Sequence, residues 1–511
     1  MSLPTPSTPG PSYDVLLRRL QKLQALLEVA KEMAQHRDLF ELMQLVIQEA
    51  VTVADADRGS VWLLDRDHEQ LYTYVAQGVE PLRIPNNAGV VGVVATSGRS
   101  LKVPDAYADP RFDRHQDEVT GYRTRNILAV PMWSVDQSVF GVLQVLNKRE
   151  DVDGGRFTDD DQELLTAFGG QAAAALQSAL FYDEIQQLFE GFIKASVVAI
   201  EARDPTTSGH SERVAVLTCG LAEAVERGGG HGRWRGIHFT IDEMRAIRYA
   251  ALLHDFGKIG VREEVLVKAD KLYPHQRENL ELRFDFIRRT LESDFHRKQF
   301  ELAAPGGAAL VAAALVDEES RYQKAVAEID EIQQFCMTCN RPTVLEQGGF
   351  ERLQEIQQRM FRGPGGAPLP FLSPSESAAL SIRRGSLSPE ERLQIESHVT
   401  HTYNFLSRIP WSQSLKKIPD IAWGHHEKLD AKGYPRRLGP EQISVETRMM
   451  TISDIYDALT ASDRPYKKAV PHAKALDILT DESNKGMIDQ DLLTIFIDAK
   501  VPENKLGKSA D

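Results

Sequence analysis

The first hydrophobic pattern in the chain has the period of a helix. Apolar side chains between residues 13 and 56 recur every three or four positions, as at Leu16, Leu20, Leu42 and Val46. This spacing places them on one face of a helix and predicts helices over this stretch. The preceding lead, MSLPTPSTPGPS, has no such period, so residues 1–12 are expected to be disordered.

Shorter apolar runs follow and predict strands. The runs at 60–64 and 71–75 form one candidate hairpin, and those at 127–132 and 139–146 form another. The second pair is nearly continuous in apolar residues, as is typical of strands in the middle of a sheet. Residues 13–180 are therefore predicted to form an α/β domain with an antiparallel sheet flanked by helices.

One long connecting helix is predicted over 158–202, because only a few glycines interrupt this stretch. It carries an apolar stripe at helical spacing. The members of the stripe are Leu164, Phe168, Ala172, Leu176, Leu180 and Ile185. Such a stripe is either the seam of a homodimer or a surface that packs against the preceding sheet. The repeat is too short to decide between the two.

Composition limits the classes of function. A chain of 511 residues is too long for a single core, so two or three domains are expected. The formal charge of −14 argues against binding of nucleic acid over a broad surface. No run approaches the ~20 apolar residues that span a bilayer, so no membrane association is expected. The cysteines at 219, 336 and 339 cannot form a disulfide framework, which is typical of cytoplasmic proteins.

Two short motifs carry the candidate chemistry. His254 and Asp255 lie in LLHDFGKIG, and His425 and His426 lie in HHEKLDAKGYP. Apolar residues at helical spacing place His254 on the buried face of one helix and His210 on that of another. A buried carboxylate beside a buried imidazole is costly unless it is paired or binds a metal. This ligand set suits Fe, Mn, Zn or Ni and indicates metal-assisted hydrolysis of a phosphate ester.

These motifs, with Gly433-Tyr434-Pro435 and the later SDIYDALTASDRPYKKA, resemble the HD-GYP family, a branch of the HD-domain phosphohydrolases. Several motifs agree in order, where a lone HD dipeptide would mean little. The resemblance implies an all-α HD-GYP domain over 190–480. It also implies a metal-dependent bacterial phosphodiesterase that hydrolyses cyclic di-GMP to pGpG, with GMP as a further product.

The resemblance also implies which residues bind the metals. The implied ligands are His210, His254, Asp255, His398, His425, His426 and Asp454. Asp255 would bridge two divalent ions, with Fe or Mn expected and Ni or Zn also compatible. Family members that hold a third metal have a Glu at the position of Thr206, so two ions are favoured here. Asp457 is expected to support a ligand rather than to bind a metal.

The remaining implied roles concern catalysis and the substrate. Asp255 and Lys258 are the expected catalytic residues, with Lys258 neutralising charge on the phosphoryl oxygens. The expected substrate-binding residues are Gly433, Tyr434, Pro435, Arg464, Lys467 and Lys468. A glycine that is usual in the family is replaced by Ala431, which would be strained if the loop needs a positive φ there.

The N-terminal half resembles a GAF domain in DRGSVWLLD, GVVGVVATSGRSLKVPDAYADPRF, ILAVPM and GVLQVLNK. Asn147, Lys148, Phe157 and Asp161 partly follow the pattern of GAF domains that bind cyclic nucleotides, although one expected Glu is absent. A strand end followed by a helix that Thr158 caps explains the same residues. A cyclic nucleotide is therefore one candidate ligand of this domain.

The segment 273–386 has no counterpart in the HD-GYP family and is expected to be a mostly helical insertion. Charged helical segments are predicted at 277–302 and 308–335, with a loop at 363–371. The two cysteines of CMTC, at 336–339, form half of a zinc motif without a second half, so free thiols are favoured over zinc. A lid, a dimer arm and a platform for a partner are the open roles.

The sequence thus predicts a multi-domain protein with a GAF sensor, a connecting helix, an all-α HD-GYP domain and a C-terminal tail at 481–511. Its predicted function is hydrolysis of cyclic di-GMP under control of the sensor. One alternative is a non-catalytic adaptor that binds a diguanylate cyclase, that is, a GGDEF-domain protein. The other is an HD phosphohydrolase for another cyclic dinucleotide or a mononucleotide.

Overall fold

The computed structural model describes residues 28, 31–33, 38–73, 82–204, 208–228, 232–303, 308–342, 344, 348–363, 366–461 and 469–507. The chain divides into two compact units, Met1–Glu190 and Gly191–Asp511. Each unit has its own hydrophobic core. The predicted lead at 1–12, and the predicted helix before residue 28, lie outside the described residues.

The first unit is built on one antiparallel sheet. Its strands are β1 (Ala56–Asp65), β2 (Gln70–Thr73), β3 (Leu82–Pro85), β4 (Leu101–Val103), β5 (Ile127–Trp133) and β6 (Val139–Lys148). Their order in the sheet is β3-β2-β1-β6-β5-β4. The pairing of β1 with β2 and of β5 with β6 confirms both predicted hairpins, the first as far as Thr73.

Helices cover both faces of this sheet. Successive side chains of a strand point to opposite faces. In β1, Val61 and Leu63 accordingly join the core beneath α1 (Leu39–Val53), whereas Trp62 joins the core beneath α2 (Gly89–Ser97). A short helix, α3 (His115–Thr120), precedes β5. The predicted α/β fold with flanking helices is confirmed.

The predicted connecting helix is present as α4 (Asp159–Arg203), which is 45 residues long. Its first part packs into the core of the first unit, where Phe168, Ala172 and Leu176 are buried. Ile185, further along the same stripe, is 64% exposed. Packing against the sheet therefore explains the first part of the stripe, and the exposed remainder begins after it.

By length and composition alone, α4 is the one helix in the described part of the chain that could cross a membrane. The core helix of a globular protein can have the same length and composition, and 44% of the most apolar window of α4 is buried inside the protein. Burial of residues such as Phe168 in the core of the first unit accounts for this apolar composition.

The residues that resemble the cyclic-nucleotide pattern have structural partners. The Lys148 ammonium is fully buried and lies 2.8 Å from a carboxylate oxygen of Asp161. The side-chain oxygen of Asn147 accepts a hydrogen bond from the backbone of Arg125 at 2.6 Å. The Thr158 hydroxyl accepts one from the backbone N–H of Asp161 at 3.1 Å. These contacts join the end of β6 to the first turn of α4, as the alternative explanation requires.

The second unit is mostly helical. In chain order its elements are α5 (His210–Arg227), α6 (Ile241–Leu253), α7 (Glu263–Leu266), α8 (Pro274–Ala303), α9 (Ala308–Asn340), α10 (Gly349–Gln358), β7 (Met360–Arg362), β8 (Pro368–Pro370), α11 (Pro374–Leu380), α12 (Pro389–Leu406), α13 (Ile418–Trp423), α14 (Val445–Thr460), α15 (His472–Asn484), α16 (Gln490–Asp498) and α17 (Val501–Leu506). Its main core lies between α5, α14 and α16, where Leu217, Ile452 and Phe496 are fully buried.

The predicted tail at 481–511 is wrong for its described part. Leu492 and Phe496 of α16 are fully buried, and Val501 of α17 is 2% exposed, in the main core of the second unit. The segment QDLLTIFID is short but apolar on one face, so the core holds it as a helix.

The insertion has a core of its own. Its helices α8 and α9 run antiparallel, since Phe295 stacks on Tyr322 while Arg288 pairs with Asp330. The loop predicted at 363–371 is wrong for Pro368–Pro370, which pairs with β7. Both strands of this two-stranded sheet are edge strands, which tolerate proline where its missing N–H is not needed for pairing.

The two cysteines of the insertion are free thiols inside that core. Cys336 is fully buried and Cys339 is 5% exposed. Burial raises the pKa of the Cys336 thiol to about 12, so it stays protonated at neutral pH.

A set of three residues, here named the neck, closes the base of the insertion. The Lys268 ammonium lies 2.8 Å from each carboxylate oxygen of Glu391. The Ser386 hydroxyl donates to the Lys268 carbonyl at 3.0 Å. The two ends of the insertion therefore meet at one point.

Replacement of residues 275–383 by a short Gly/Ser link should leave the bound metal of the protein unchanged. The neck already holds the two ends together, and a short link costs little conformational entropy to close. Elemental analysis of the purified variant measures the metal, and circular dichroism checks that the rest is folded. Loss of metal from a folded variant would contradict this expectation and would show that the insertion builds the centre.

Candidate metal centre

His254 and Asp255 lie at the end of a well-defined helix. α6 begins at a capping box in which the Thr240 hydroxyl accepts from the Glu243 backbone at 3.2 Å. Ile247 lies on its buried face, and the helix ends with His254 as the capping residue. His254 is 1% and Asp255 7% exposed. The helix thus delivers both side chains to the interior.

Gly257 lets this turn touch the backbone of α12. A Cβ atom at Gly257 would lie 1.9 Å from the His398 carbonyl oxygen and 2.4 Å from the Thr402 nitrogen. The Thr402 hydroxyl accepts from the Gly257 N–H at 2.8 Å and donates to the His254 carbonyl at 2.9 Å. Only glycine permits this approach, which brings His254 and Asp255 to His398.

His210 is the first residue of α5 and is 4% exposed. Its Nδ1 donates to Asp457 at 2.8 Å. Asp457 is fully buried and also accepts from the Arg213 guanidinium at 2.7 Å. Asp457 therefore orients the imidazole through its second nitrogen, which leaves the Nε2 of His210 for the centre.

α12 carries two histidines one turn apart, and only one of them faces the centre. His398 is 2% exposed, and its Nε2 lies 3.3 Å from Asp255 Oδ1. His401 is exposed on the surface of the same helix.

His425 and His426 follow the end of α13, and Glu427 holds the loop after them. His425 is fully buried. Glu427 is 2% exposed and accepts from the backbone N–H groups of Arg436 at 2.7 Å and Leu438 at 2.9 Å. Glu427 has no role among the predicted residues, because its burial and its contacts with the loop backbone arise only when the loop folds back on it.

The Gly-Tyr-Pro loop packs directly on this turn. A Cβ atom at Gly433 would lie 2.3 Å from the Lys428 nitrogen and 2.6 Å from the His426 carbonyl oxygen. The Tyr434 ring lies 4.7 Å from the His426 ring. Glycine at 433 is required for this close packing, and it places Tyr434 at the edge of the centre.

The imidazoles and carboxylates form two groups that face each other. One group is His210, His254 and Asp255, and the other is His398, His425 and His426. Within each group the candidate ligand atoms lie within 4.8 Å of one another. All the residues that the resemblance implied as ligands thus lie in one place.

Two carboxylates connect the groups. Asp255 Oδ2 lies 3.5 Å from His254 Nε2, while its Oδ1 lies 3.3 Å from His398 Nε2. Asp454 Oδ1 lies 3.2 Å from His210 Nε2, and its Oδ2 lies 3.9 Å from His426 Nδ1. Each carboxylate therefore presents one oxygen to each side.

The histidine tautomers leave lone pairs that point at one another. The Nδ1 atoms of His254, His398 and His425 each lie 2.6–2.7 Å from the backbone carbonyl oxygen three residues earlier. A carbonyl only accepts, so Nδ1 carries the hydrogen and Nε2 of each neutral ring carries a lone pair. His398 Nε2 and His425 Nε2 are 3.4 Å apart with no hydrogen between them. A cation removes this repulsion, and the set of nitrogen and oxygen donors fits a divalent transition metal.

Electrostatics hold most of these groups in the form that binds cations. Burial lowers the pKa of His425 well below its ordinary value and that of His426 to about 3. Burial raises the pKa of Asp255, but the Lys258 ammonium, 2.9 Å from Oδ2, and the nearby imidazoles outweigh this and hold it well below its ordinary range. At neutral pH these histidines are neutral and Asp255 is ionised.

His210 is the exception. Burial lowers its pKa, but its contacts with Asp454 and Asp457 outweigh this and raise the pKa to about 9. A protonated His210 donates from Nε2 to Asp454 Oδ1, 3.2 Å away. In the metal-free protein a proton therefore stands where a cation would bind.

Ala431 has a φ of 56°, in the left-handed region. A residue with a Cβ atom is strained in this conformation, so the strain expected at this position is present.

The predicted substrate-binding residues Arg464, Lys467 and Lys468 lie outside the described residues, as does Thr206.

The first unit, taken by itself, contains a cavity of about 190 Å³. It is lined by apolar and polar side chains, among them Arg58, Trp62, Asp117 and Gln144. The Arg58 guanidinium stacks 3.9 Å from the Tyr122 ring centre at its wall. An apolar pocket with a few polar groups is typical of a small-molecule site. The residues of the cyclic-nucleotide pattern are not among those that line it.

Comparison with protein families agrees with the division of the chain into two units. Residues 38–176 match the GAF domain, residues 207–332 match the HD domain, and residues 371–492 match a second HD domain family. The chain therefore contains a GAF domain followed by an HD-type helical region. This combination supports a signalling role as a metal-dependent hydrolase.

Several solved structures are similar to parts of the chain. The GAF domain of a phosphoenolpyruvate-protein phosphotransferase from Coxiella burnetii is 18% identical over 32% of this chain and 98% of that chain, with a TM-score of 0.29. A GAF domain/HD domain protein from Geobacter sulfurreducens is 14% identical over 28% of this chain and 95% of that chain, with a TM-score of 0.24. At these TM-scores neither likeness carries an argument about function.

Metal binding should release a proton from His210. A ligand nitrogen must be unprotonated, and the pKa of His210 is about 9, so at pH 8 most of the metal-free protein carries this proton. Metal affinity should accordingly rise as the pH rises toward 9. Calorimetric titration with Mn²⁺ in buffers of different ionisation enthalpy measures the release. The control Asp457→Asn removes a contact that raises this pKa and should reduce the release at pH 8, whereas equal heats in all buffers for the wild type would refute the assignment.

Ala431→Gly should stabilise the second unit by up to about 1 kcal/mol, because relief of left-handed strain of ~1–2 kcal/mol exceeds the entropic penalty of glycine. The matched control is Ala327→Gly, at an exposed position inside α9, which should destabilise by about 1 kcal/mol. Denaturant unfolding of both variants measures the difference. A destabilisation of similar size in both would show that the loop does not strain Ala431.

Proposed function

We propose that this chain, in which a GAF domain precedes an HD-type helical region, is a metal-dependent phosphodiesterase that hydrolyses cyclic di-GMP to linear pGpG. The observation that carries the proposal is the convergence of two groups of imidazoles on Asp255, with the Gly-Tyr-Pro loop at their edge. The identity of the substrate is supported by the resemblance of these motifs to the HD-GYP family.

The centre offers ligands for two divalent ions. His210, His254 and Asp454 would hold one ion, with Fe or Mn favoured over Ni or Zn. The three imidazoles of the other group would hold the second, and Asp255 would bridge the two. Divalent ions bound in this way supply a nucleophilic water at neutral pH and positive charge beside a phosphate.

The protein's own part is to keep these ligands in place before the substrate arrives. The hydrogen bonds from Nδ1 to backbone carbonyls or to Asp457 fix four of the five rings, those of His210, His254, His398 and His425, so these donors need not reorganise. The Lys258 ammonium, with a side chain 14% exposed, adds a positive charge 2.9 Å from Asp255. It would stabilise the negative charge that develops on the phosphoryl oxygens during in-line attack.

A cyclic dinucleotide has two phosphates and two planar bases, and the edge of the centre suits both. The Tyr434 ring, held by the loop that Glu427 braces, offers an aromatic surface on which a guanine would stack. Arg464, Lys467 and Lys468 follow α14, which carries Asp454, and would bind the second phosphate.

The GAF domain would regulate the hydrolysis. Its cavity of about 190 Å³ would take a small ligand such as a cyclic nucleotide, and a GGDEF-domain protein would supply the substrate. A homodimer would be the working assembly.

The substrate is tested with the full-length protein loaded with Mn²⁺ or Fe²⁺ and offered cyclic di-GMP, cyclic GMP–AMP, cyclic di-AMP and linear pGpG. Chromatography of the products should show conversion of cyclic di-GMP to pGpG, with slower formation of GMP. Metal-loaded protein that cleaves none of them would overturn the proposal in favour of an adaptor. Preference for another cyclic dinucleotide would change the identity of the substrate, and the proposed phosphodiester hydrolysis would stand.

The metal ligands are tested with two histidines of the same helix. His398→Ala should remove bound metal and hydrolysis, because His398 Nε2 faces Asp255. His401→Ala, one turn away on the exposed side of α12, should retain both. Elemental analysis and turnover of the two purified variants make the comparison. Equal metal content in both variants would remove His398 from the ligand set.

A further inference from the structure

The last turn of α4 contacts two of the segments that carry candidate ligands. The Glu201 carboxylate accepts from the backbone N–H of Gly209 at 2.9 Å, directly before His210. The Arg203 guanidinium donates to the carbonyls of Ile259 at 2.9 Å and Val261 at 3.1 Å, directly after the turn that carries Lys258. The end of this helix is thus joined to the approaches of the centre on two sides.

Asp204, the residue after α4, makes the contact that lies closest to the candidate ligands. It is 3% exposed, and its Oδ2 lies 3.1 Å from the Lys258 ammonium. The same ammonium lies 2.9 Å from Asp255 Oδ2. Lys258 is therefore held between two buried carboxylates, of which one belongs to the centre and one does not.

This arrangement matters because Lys258 and a metal ion compete for the same oxygen. Asp255 Oδ2 is also the atom that faces His254 Nε2 at 3.5 Å. The ammonium is already 2.9 Å from this oxygen, and with Asp255 as its sole carboxylate partner it would pair with it more strongly and oppose a cation there. A second carboxylate draws the ammonium toward itself and leaves the local charge of two carboxylates and one ammonium negative, which favours a divalent cation.

We infer that Asp204 is a positioning residue that shares the Lys258 ammonium with Asp255, so that the residue directly after α4 limits how strongly this charge pairs with Asp255 at the metal centre. The role of Lys258 in phosphodiester hydrolysis rests on the proposed function. The effect of Asp204 on metal binding does not.

An ion pair that merely stabilises the fold would look similar in the structure, and a second substitution separates the two. Asp204→Asn should weaken Mn²⁺ binding by about tenfold, as is common when a group behind a metal ligand is removed. Lys258→Met added to Asp204→Asn should restore the affinity, because the misplaced ammonium is then gone. A purely structural role for Asp204 gives no reason for such a rescue.

The experiment measures the dissociation constant of Mn²⁺ by calorimetry on the metal-free full chain. The variants are Asp204→Asn, Lys258→Met, the double variant and the conservative Asp204→Glu, which should bind more tightly than Asp204→Asn. The matched control is Asp489→Asn. Asp489 is another buried aspartate, 4% exposed, and it pairs with Arg448 at 2.9 Å. Its other partners in the described part of the chain, Arg233, Trp234 and Leu492, are not candidate ligands. This control should lower the midpoint of thermal unfolding and leave the Mn²⁺ affinity unchanged.

Turnover of bis(p-nitrophenyl) phosphate gives a second readout. Asp204→Asn at saturating Mn²⁺ should lower kcat by about tenfold or more, with less change in KM, because a small displacement of a catalytic group acts on the transition state.

The inference is overturned if the double variant binds Mn²⁺ as weakly as Asp204→Asn, or if Asp204→Asn binds as tightly as the wild type. Failure of the proposed function looks different. In that case the wild type cleaves no cyclic dinucleotide, while loss of Mn²⁺ affinity in Asp204→Asn and its rescue by Lys258→Met persist.

Discussion

The metal centre of the second unit depends on a repulsion between buried imidazole nitrogens, which a bound cation would remove. Imidazole nitrogens that carry lone pairs face one another inside the protein, as at the 3.4 Å separation of His398 and His425. Burial lowers the pKa of His425 well below its ordinary value, and backbone carbonyls fix the orientation of both rings. Unpaired polar groups in a dry interior cost several kcal/mol. The surrounding helices, the glycine contacts and the bracing carboxylates hold this unfavourable arrangement ready for cations.

The two sides of the centre are not equivalent. The side with His210 carries Asp454 and the shared Asp255, and its ligand set is completed only when His210 loses a proton. The side with His425 and His426 is already neutral and relies on Asp255 for negative charge. Carboxylate-rich sites suit harder ions and imidazole-rich sites suit softer ones. The protein thus presents two different coordination environments joined by one carboxylate.

Much of this could be predicted from the sequence, because periodicity and ordered motifs are local signals. The hairpins of the sheet and the helix Asp159–Arg203 follow directly from such patterns. The missed features depend on contacts between distant parts of the chain. Burial of Phe496 and bracing by Glu427 appear only once helices and loops are packed. Asp204 had no signal of its own, since its partner lies 54 positions away. Gly257 is a conspicuous residue of its motif, but the helix that it must approach cannot be identified without the fold.

The neck formed by Lys268, Ser386 and Glu391 has a consequence for how the protein can vary. It holds both ends of the insertion at one point, so the rest of the insertion is attached to the second unit through this point. The entropy of closing a longer loop grows only logarithmically, by about 0.6 kcal/mol for each doubling of length. Chain can therefore be added, removed or exchanged beyond this point at small thermodynamic penalty. The base of the insertion is thus a suitable site for inserting a foreign domain whose termini lie close together, such as a fluorescent reporter.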